Sequence, residues 1–315
     1  MSDSLATGSS VFHRTFDLVS VVGPGATAFL HSQVTSDLES VVAAGASNTA
    51  VDTLILEPSG KVAAIAVCRW TSSEQRWDLF VEHGYGSRVI ERLQRFFLRV
   101  KAELTLQSRT CSLIDRSDLV SDDVLVSTPA PLFFLGLALL NDAGEVNNSS
   151  IAGVDLSSAI QDDIDRWERR RLRLCTPSMS HELLRERVPA SLGSRVMARA
   201  VSLTKGCYTG QELVARMDAR QARPPETIVA ARIPSDELSS ELRSRALGRG
   251  DTALIEIQMV DGEGQSIGEV TSLGIDDHGE LRVLGFRRRS FADEEILRLV
   301  VNDVLYSLEV VDAVG

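Results

Sequence analysis

The stretch "TKGCYTGQELVARMDAR", residues 204–220, places one of the chain's four cysteines between a glycine and a tyrosine, just ahead of a helical pattern. Thr209-Gly210-Gln211-Glu212 has the S/T-x-x-E form of a capping box, in which the Thr209 hydroxyl accepts from the Glu212 amide and the Glu212 carboxylate reaches back to the Thr209 amide. The spacing predicts a helix from about Gly210, with Leu213, Val214 and Met217 as its buried stripe. Arg216 and Arg220, four residues apart, share a face able to approach an anion. Cys207 then lies just upstream of a helix N-terminus with Lys205 two residues before it, and both features favour thiolate over thiol. The competing reading is a small buried cysteine packed beneath the helix, with Gly206 and Gly210 serving only tight turns. Context favours the reactive thiol. Cys68 falls in an alternating strand, Cys111 lacks comparable surroundings, and Cys175 follows the basic run 169–173 with no helix start after it.

Working outward, 315 residues suffice for two or three compact domains with a sizeable core. A chain with 43% hydrophobic and 24% charged residues falls in ordinary globular usage, which excludes fibrous and disordered classes. The 33 basic against 44 acidic residues give a net charge of -11, which repels a phosphate backbone, so direct nucleic-acid binding is not expected. The cysteines show no CxxC spacing and no secreted-scaffold density, which points to a reducing, cytoplasmic setting. "MSDSLATGSS" at the start has neither a basic n-region nor an apolar h-region and reads as a short frayed tail. The most apolar run, "LFFLGLALL" at 132–140, falls well short of the ~20 residues a membrane-spanning helix needs. It is expected to be a buried strand, and no membrane partner is expected.

Along the chain, residues 26–42 read as a short helix carrying Phe29, Leu30 and Val34, followed by a capped turn at Thr35, Ser36 and Asp37. "TAVDTLILE" and "KVAAIAVCRWT", separated by Pro58-Ser59-Gly60, read as a hairpin. "WDLFVE" reads as a further strand, and "SRVIERLQRFFLRV" as an amphipathic helix burying Val89, Leu93, Phe96, Phe97 and Val100. After strands between 104 and 140, residues 161–174 form a helix whose acidic start and basic end suit the macrodipole. "RPPET" at 223–227 marks a boundary, because consecutive prolines fit neither helix nor central strand. Beyond it, "TIVAARI", "TALIEIQMV", "SIGEVTSLG", "LRVLGFRR" and "YSLEVV" alternate with Gly and Asp turns, as in a small antiparallel barrel. The fold class is α+β, divided into residues 11–222 and a barrel domain, 225–315.

"KGCYTGQE" resembles the signature of the YgfZ-type folate-binding proteins, relatives of the glycine-cleavage T-protein (aminomethyltransferase). "VVGPGATAFLHSQVTSDL", the Pro58-Ser59-Gly60 hairpin, "RWERRRLRLCTP" and "IGEVTSLGIDDHGELRVLGFRRR" are similar to that family's N-terminal, turn, mid-chain arginine and barrel segments, so the resemblance covers roughly residues 11–311. It implies two interwoven α+β lobes over 11–222 and the barrel, three lobes around a central channel that takes tetrahydrofolate. It also implies a role beside iron-sulfur proteins or their assembly machinery, including tRNA-modifying enzymes. The residues it associates with the folate are Arg171, Tyr208, Gln211, Glu212, Gln33 and Asp37; the local sequence context adds Cys207 as a reactive thiol tuned by Lys205 and the helix start.

Where T-proteins resemble one another in a G-x-V-x-D-D pattern, this chain reads "GKVAAIAV", and Ala63 and Ala64 occupy the carboxylate positions. Neither can relay a proton, which argues against aminomethyl transfer unless Asp52 or Glu57 substitutes spatially. Arg173 stands where the T-protein pattern has an acid, and Ala190-Ser191 follow Pro189 where many relatives read P-H-E. Arg169, Arg170, Arg171 and Arg173 form a basic run that reads as a solvated helix terminus, Arg171 excepted. His31, His83, His181 and His278 lack a paired acid in the sequence and read as surface residues. "GPGATA" at 23–28 has too few glycines for a dinucleotide fingerprint. Three classes remain: a folate-binding accessory factor, which these residues favour, a folate-dependent aminomethyl or demethylating enzyme, and a scaffold that has lost folate.

Overall fold

A computed structural model describes residues 11–45, 49–115, 131–139, 163–234, 242, 257–292 and 296–311. The expected frayed tail, residues 1–10, lies outside the described residues, as do 161–162 at the start of the mid-chain helix and 252–256 of the expected "TALIEIQMV" strand. The chain divides into two compact units, one of Met1–His31, Asp37–Asp52 and Ala66–Trp167, the other of Ser32–Ser36, Thr53–Ile65 and Glu168–Gly315. No described helix is long and apolar enough to cross a membrane.

The first unit is organised by β1 (Val11–Val22), a twelve-residue strand pairing antiparallel with β4 (Arg76–Glu82) on one side and β5 (Glu103–Ile114) on the other. The sheet order is β2-β3-β4-β1-β5-β6, where β2 (Ala50–Leu56) and β3 (Val62–Thr71) are the expected hairpin and β6 is Ala138–Leu139. Rings of Phe16, Phe80 and Phe134 meet at 5.3–5.9 Å, and Trp167 joins them edge-on to Phe16 at 5.9 Å. Such aromatic pairs add to area burial. Helix α1 (Ala26–His31) carries Phe29 and Leu30 as expected, but Val34 lies beyond it in a β-bridge to Ile55, and the turn at 35–37 leads into a second helix, α2 (Leu38–Ala43), not read from the sequence. The Asp37 carboxylate caps α2, accepting from the Ser40 amide at 3.1 Å and the Ser40 hydroxyl at 2.6 Å.

Three expectations are corrected in this unit. The amphipathic helix α3 covers only Gly86–Gln94; Val89 and Leu93 are buried, but Phe96 and Leu98 are exposed, and Val100 is only half-buried. After Gln94 the chain tightens into i→i+3 bonds, the Phe96 amide to Leu93 O and the Phe97 amide to Gln94 O, and Arg99, at φ 61, keeps the helix from resuming. The run 132–140 is a 3-10 turn, Leu132–Phe134, followed by the two-residue β6. Its buried start is held by Asp52, whose carboxylate accepts the Leu132 and Phe133 amides at 2.8 and 2.9 Å, and left-handed Leu135 and Gly136 end it. His83 and His31 do have acids beside them. His83 Nδ1 lies 2.8 Å from Asp17, and His31, buried, stands 3.6 Å from Asp37. Asp17 also accepts the Gly84 and Gly86 amides and the Ser108 hydroxyl, so that, although burial raises it, its carboxyl is held below the usual range.

The second unit contains α4 from Glu168 onward (the helix spans Ile164–Arg173), α5 (Ser194–Ala200), α6 (Gln211–Ala219) and a closed barrel. The barrel strands are β7 (Glu226–Ile233), β8 (Ile257–Val260), β9 (Ser266–Ile275), β10 (Leu281–Arg288), β11 (Leu297–Val301) and β12 (Val304–Val310), in the order β10-β7-β12-β11-β8-β9. Met259, Ile267, Val283, Leu299 and Leu308 fill its interior. Strand β11 is additional to those read from the sequence. It ends in a two-residue turn, Asn302-Asp303, both at positive φ, the conformation of a tight hairpin whose twist matches its strands.

Candidate functional site

The signature stretch is fixed by a turn that precedes it by some 150 residues. The β2–β3 turn closes with the Glu57 amide donating to Lys61 O at 2.8 Å and the Gly60 amide donating to Glu57 O at 2.8 Å. Gly210, at φ +83, is the residue before α6, and a Cβ there would lie 2.6 Å from Glu57 O and 2.8 Å from the Leu56 side chain. Only glycine meets both conditions, a left-handed backbone and no room for a side chain.

This geometry corrects the capping box. In such a box the capping threonine has extended backbone angles. Here left-handed Gly210 precedes the helix, and α6 starts at Gln211. The Thr209 hydroxyl donates instead to Gln33 Oε1 at 3.2 Å, while the Thr209 amide donates to Ser32 O at 3.0 Å. Gln211 Oε1 accepts the Tyr208 amide at 3.1 Å, closing the loop on itself. Glu212 is exposed and pairs with Arg216, one turn along α6. Of the expected apolar stripe only Val214 is fully buried; Leu213 and Met217 are half-buried.

Lys205 is 8% exposed, and its ammonium donates to Val34 O and Ser36 O, both at 2.8 Å, while lying 5.0 Å from the Tyr208 ring centroid. Its geometry thus holds the segment 32–36, which is further tied by the Thr35 hydroxyl donating to Ala200 O at 2.5 Å and the Ser202 amide donating to Thr35 O at 2.9 Å. Tyr208 is buried, and burial pushes its phenol up to about 12, so it stays neutral. Between these two buried side chains, Cys207 is exposed and its thiol is free. Gln33 is buried, its amide donating to the Ser32 hydroxyl at 3.0 Å. The buried Ser36 hydroxyl has no hydrogen-bond partner among the described residues. The fold therefore brings Lys205, Tyr208, Gln211 and Gln33 into one cluster around an exposed thiol. The sequence marks Ser36 only as part of a capped turn, because nothing in a local pattern shows a hydroxyl to be orphaned.

Arg171 lies elsewhere in this unit, 2% exposed. It donates to Glu168 at 2.7 Å, to Glu182 at 3.0 Å, to Thr176 O at 3.1 Å and to the Ser272 hydroxyl on β9 at 2.9 Å. Glu182, fully buried, also accepts the Ser178 amide and the hydroxyls of Ser178, Ser272 and Thr271. Burial alone would raise its carboxyl. The Arg171 charge, with the Ser272 and Ser178 bonds, outweighs burial and holds the group below the usual range. Arg187 forms a second buried tie, bonded to Glu226, Glu269 and Glu182 O, with its guanidinium over the Phe286 ring. Arg173 pairs with Asp277 at 2.5 Å. These arginines fasten α4 and the 176–187 segment to the barrel. Glu182 and Arg187 escaped sequence reading because the partners that tie them to the barrel, Thr271 and Ser272 for one and Glu226 and Glu269 for the other, are remote in the chain.

Ala63 and Ala64 are both buried in β3. Asp52 caps the 132–134 turn, and Glu57 belongs to the hairpin turn.

No family model matches the chain. It is 28% identical over 207 residues to an uncharacterized protein of Haemophilus influenzae, an alignment spanning 66% of this chain and 68% of that one. It is 29% identical over 154 residues to the tRNA-modifying protein YgfZ of Vibrio atlanticus, spanning 47% of this chain but only 45% of that protein. Among solved structures, the glycine cleavage system aminomethyltransferase T of Bartonella henselae superposes with a TM-score of 0.62 over 96% of this chain and 86% of that chain, at 14% identity.

Proposed function

We propose that this chain, a YgfZ-type relative of the T-protein aminomethyltransferases, is a cytoplasmic tetrahydrofolate-binding accessory factor for iron-sulfur enzymes that presents Cys207 as a reactive thiol. The observation that carries the reading is the contrast within one short loop. Lys205 and Tyr208 are buried and tied down, while Cys207, between them, is exposed. Cysteine is among the residues most often buried, so a rigid loop that turns one outward points to chemistry at the sulfur.

For the folate, the buried Ser36 hydroxyl supplies a fit: an orphaned buried polar atom calls for a partner, and a polar heterocycle can provide one. Ser36, Gln33, Tyr208 and Gln211 would hold the group. Arg171 and Asp37, which the family resemblance also associates with it, are committed to Glu182 and Ser272 and to the α2 cap. When bound, a reduced folate supplies a one-carbon carrier. Aminomethyl transfer is disfavoured, because Ala63 and Ala64 are methyl groups buried in a strand where that chemistry needs a carboxylate.

The test is titration calorimetry with tetrahydrofolate on the full chain and on Ser36→Val, alongside complementation by Cys207→Ala in cells. Binding that stabilises the protein by about 2.7 kcal/mol at a hundredfold excess over Kd, weakened in Ser36→Val, supports the ligand. Loss of iron-sulfur enzyme activity with the Cys207→Ala protein still folded supports the thiol. Full complementation overturns the thiol, and absence of binding overturns the folate.

A further inference from the structure

The second unit contains a cavity of about 320 Å³ that neither Cys207 nor any of Ser36, Gln33, Tyr208 and Gln211 lines. Its apolar walls are Met197 of α5, Leu203, and Val214 and Met217 of α6, completed by Pro189 and Ala190. Leu203 is 53% exposed in this otherwise apolar setting. The volume falls at the lower end of small-ligand sites, roughly 300–1,000 Å³, which are mostly apolar with a few fixed polar groups.

The polar lining comes from the end of α6: Asp218, Gln221 and Arg223. Gln221, at φ 47, folds the chain back so that its own amide reaches Asp218 O and the Ala222 amide reaches Met217 O, both at 2.9 Å. The carbonyl end of the helix is thereby capped by backbone, and side chains set the local charge. Arg289 is brought against this segment, its amide donating to Pro225 O at 2.8 Å and its Nη1 to Arg223 O at 3.5 Å. Arg220 sits between the lining residues Asp218 and Gln221 in the chain. Arg220, Arg223 and Arg289 are all exposed, against one lining carboxylate, in a chain whose net charge is -11.

We infer that this cavity is a binding site for a small planar aromatic anion. The ring lies between the Met197 and Met217 thioethers, whose sulfurs make favourable contacts with aromatic edges, and the anionic group meets Arg223 and its neighbours. The inference is independent of the folate reading.

The probes are naphthalene-2-carboxylate and its neutral carboxamide, added to full-length protein with ¹³C-methyl-labelled methionine. Saturable shifts of the Met197 and Met217 methyls, with the buried Met179 and Met259 unmoved, are expected. The carboxylate should bind about fivefold tighter than the amide, and Arg223→Gln should bring that ratio close to one. Ala222→Trp, which fills the cavity from an exposed position, should weaken both probes about tenfold or more. No shift at millimolar probe, equal affinity for the two probes in the unsubstituted protein, or binding indifferent to Ala222→Trp would each overturn the inference.

Discussion

Gly60 in the β2–β3 turn and Gly210 ahead of α6 approach so closely that a Cβ on Gly60 would lie 3.1 Å from Gly210 O, and one on Gly210 would lie 3.2 Å from the Gly60 Cα. Each also has positive φ. The loop bearing Cys207 is therefore locked to the hairpin by two residues without side chains. Gly210→Ala adds a left-handed penalty to a clash with Glu57 O and should destabilise the protein by about 2–4 kcal/mol. Urea unfolding measures this, and a loss below about 0.5 kcal/mol would show that the turn yields.

Glu182 gives a pH signature. Its folded carboxyl is depressed, so the stability it contributes is present above the unfolded value, near 4.5, and is lost as pH falls through the folded value. Urea midpoints of the native protein should fall below about pH 4.5. Glu182→Gln should lose about 2–4 kcal/mol at neutral pH, because buried Arg171 loses its fully buried anion and keeps only the part-exposed Glu168. The variant should also lack this component of the acid dependence. An identical acid profile in Glu182→Gln would assign the effect to other carboxylates.

The hairpin around Pro58-Ser59-Gly60, helix α4 and five of the barrel strands were legible because each is announced locally, by β-branched runs, turn residues or charge placement. Strand β11 was not, since five residues closing on Asn302-Asp303 give little periodicity. The 132–140 run was misread because hydrophobicity alone does not distinguish a strand from a buried 3-10 turn; Asp52, 80 residues earlier, decides it. Thr209-x-x-Glu212 matched a capping pattern, yet a contact between Gly210 and the distant hairpin set the backbone. Cys207 could be picked out from its neighbours, but the duties of Lys205 and Arg171 depend on partners up to 171 and 101 residues away.

Lys205 is expected to act on the 32–36 segment. Lys205→Met removes the donor shared by Val34 O and Ser36 O and should cost about 1–3 kcal/mol through unpaired carbonyls. Hydrogen exchange should rise at residues 32–36 ahead of the barrel strands. Uniform acceleration across the second unit would show that Lys205 supports the whole unit instead.

The four cysteines should separate by rate of reaction with a disulfide reagent at neutral pH. Cys207 is exposed and should react first, with one thiol released per chain. Cys175 is half-buried at the end of α4, and burial raises its thiol despite Arg282, Arg195 and Arg171 nearby, which lowers its thiolate fraction. It should follow slowly. Cys68 and Cys111 are buried in β3 and β5 and should react only on unfolding. Cys207→Ala should abolish the fast phase and leave the slower ones unchanged. A fast phase that survives this substitution would place the accessible thiol elsewhere and remove the ground for assigning chemistry to the signature loop.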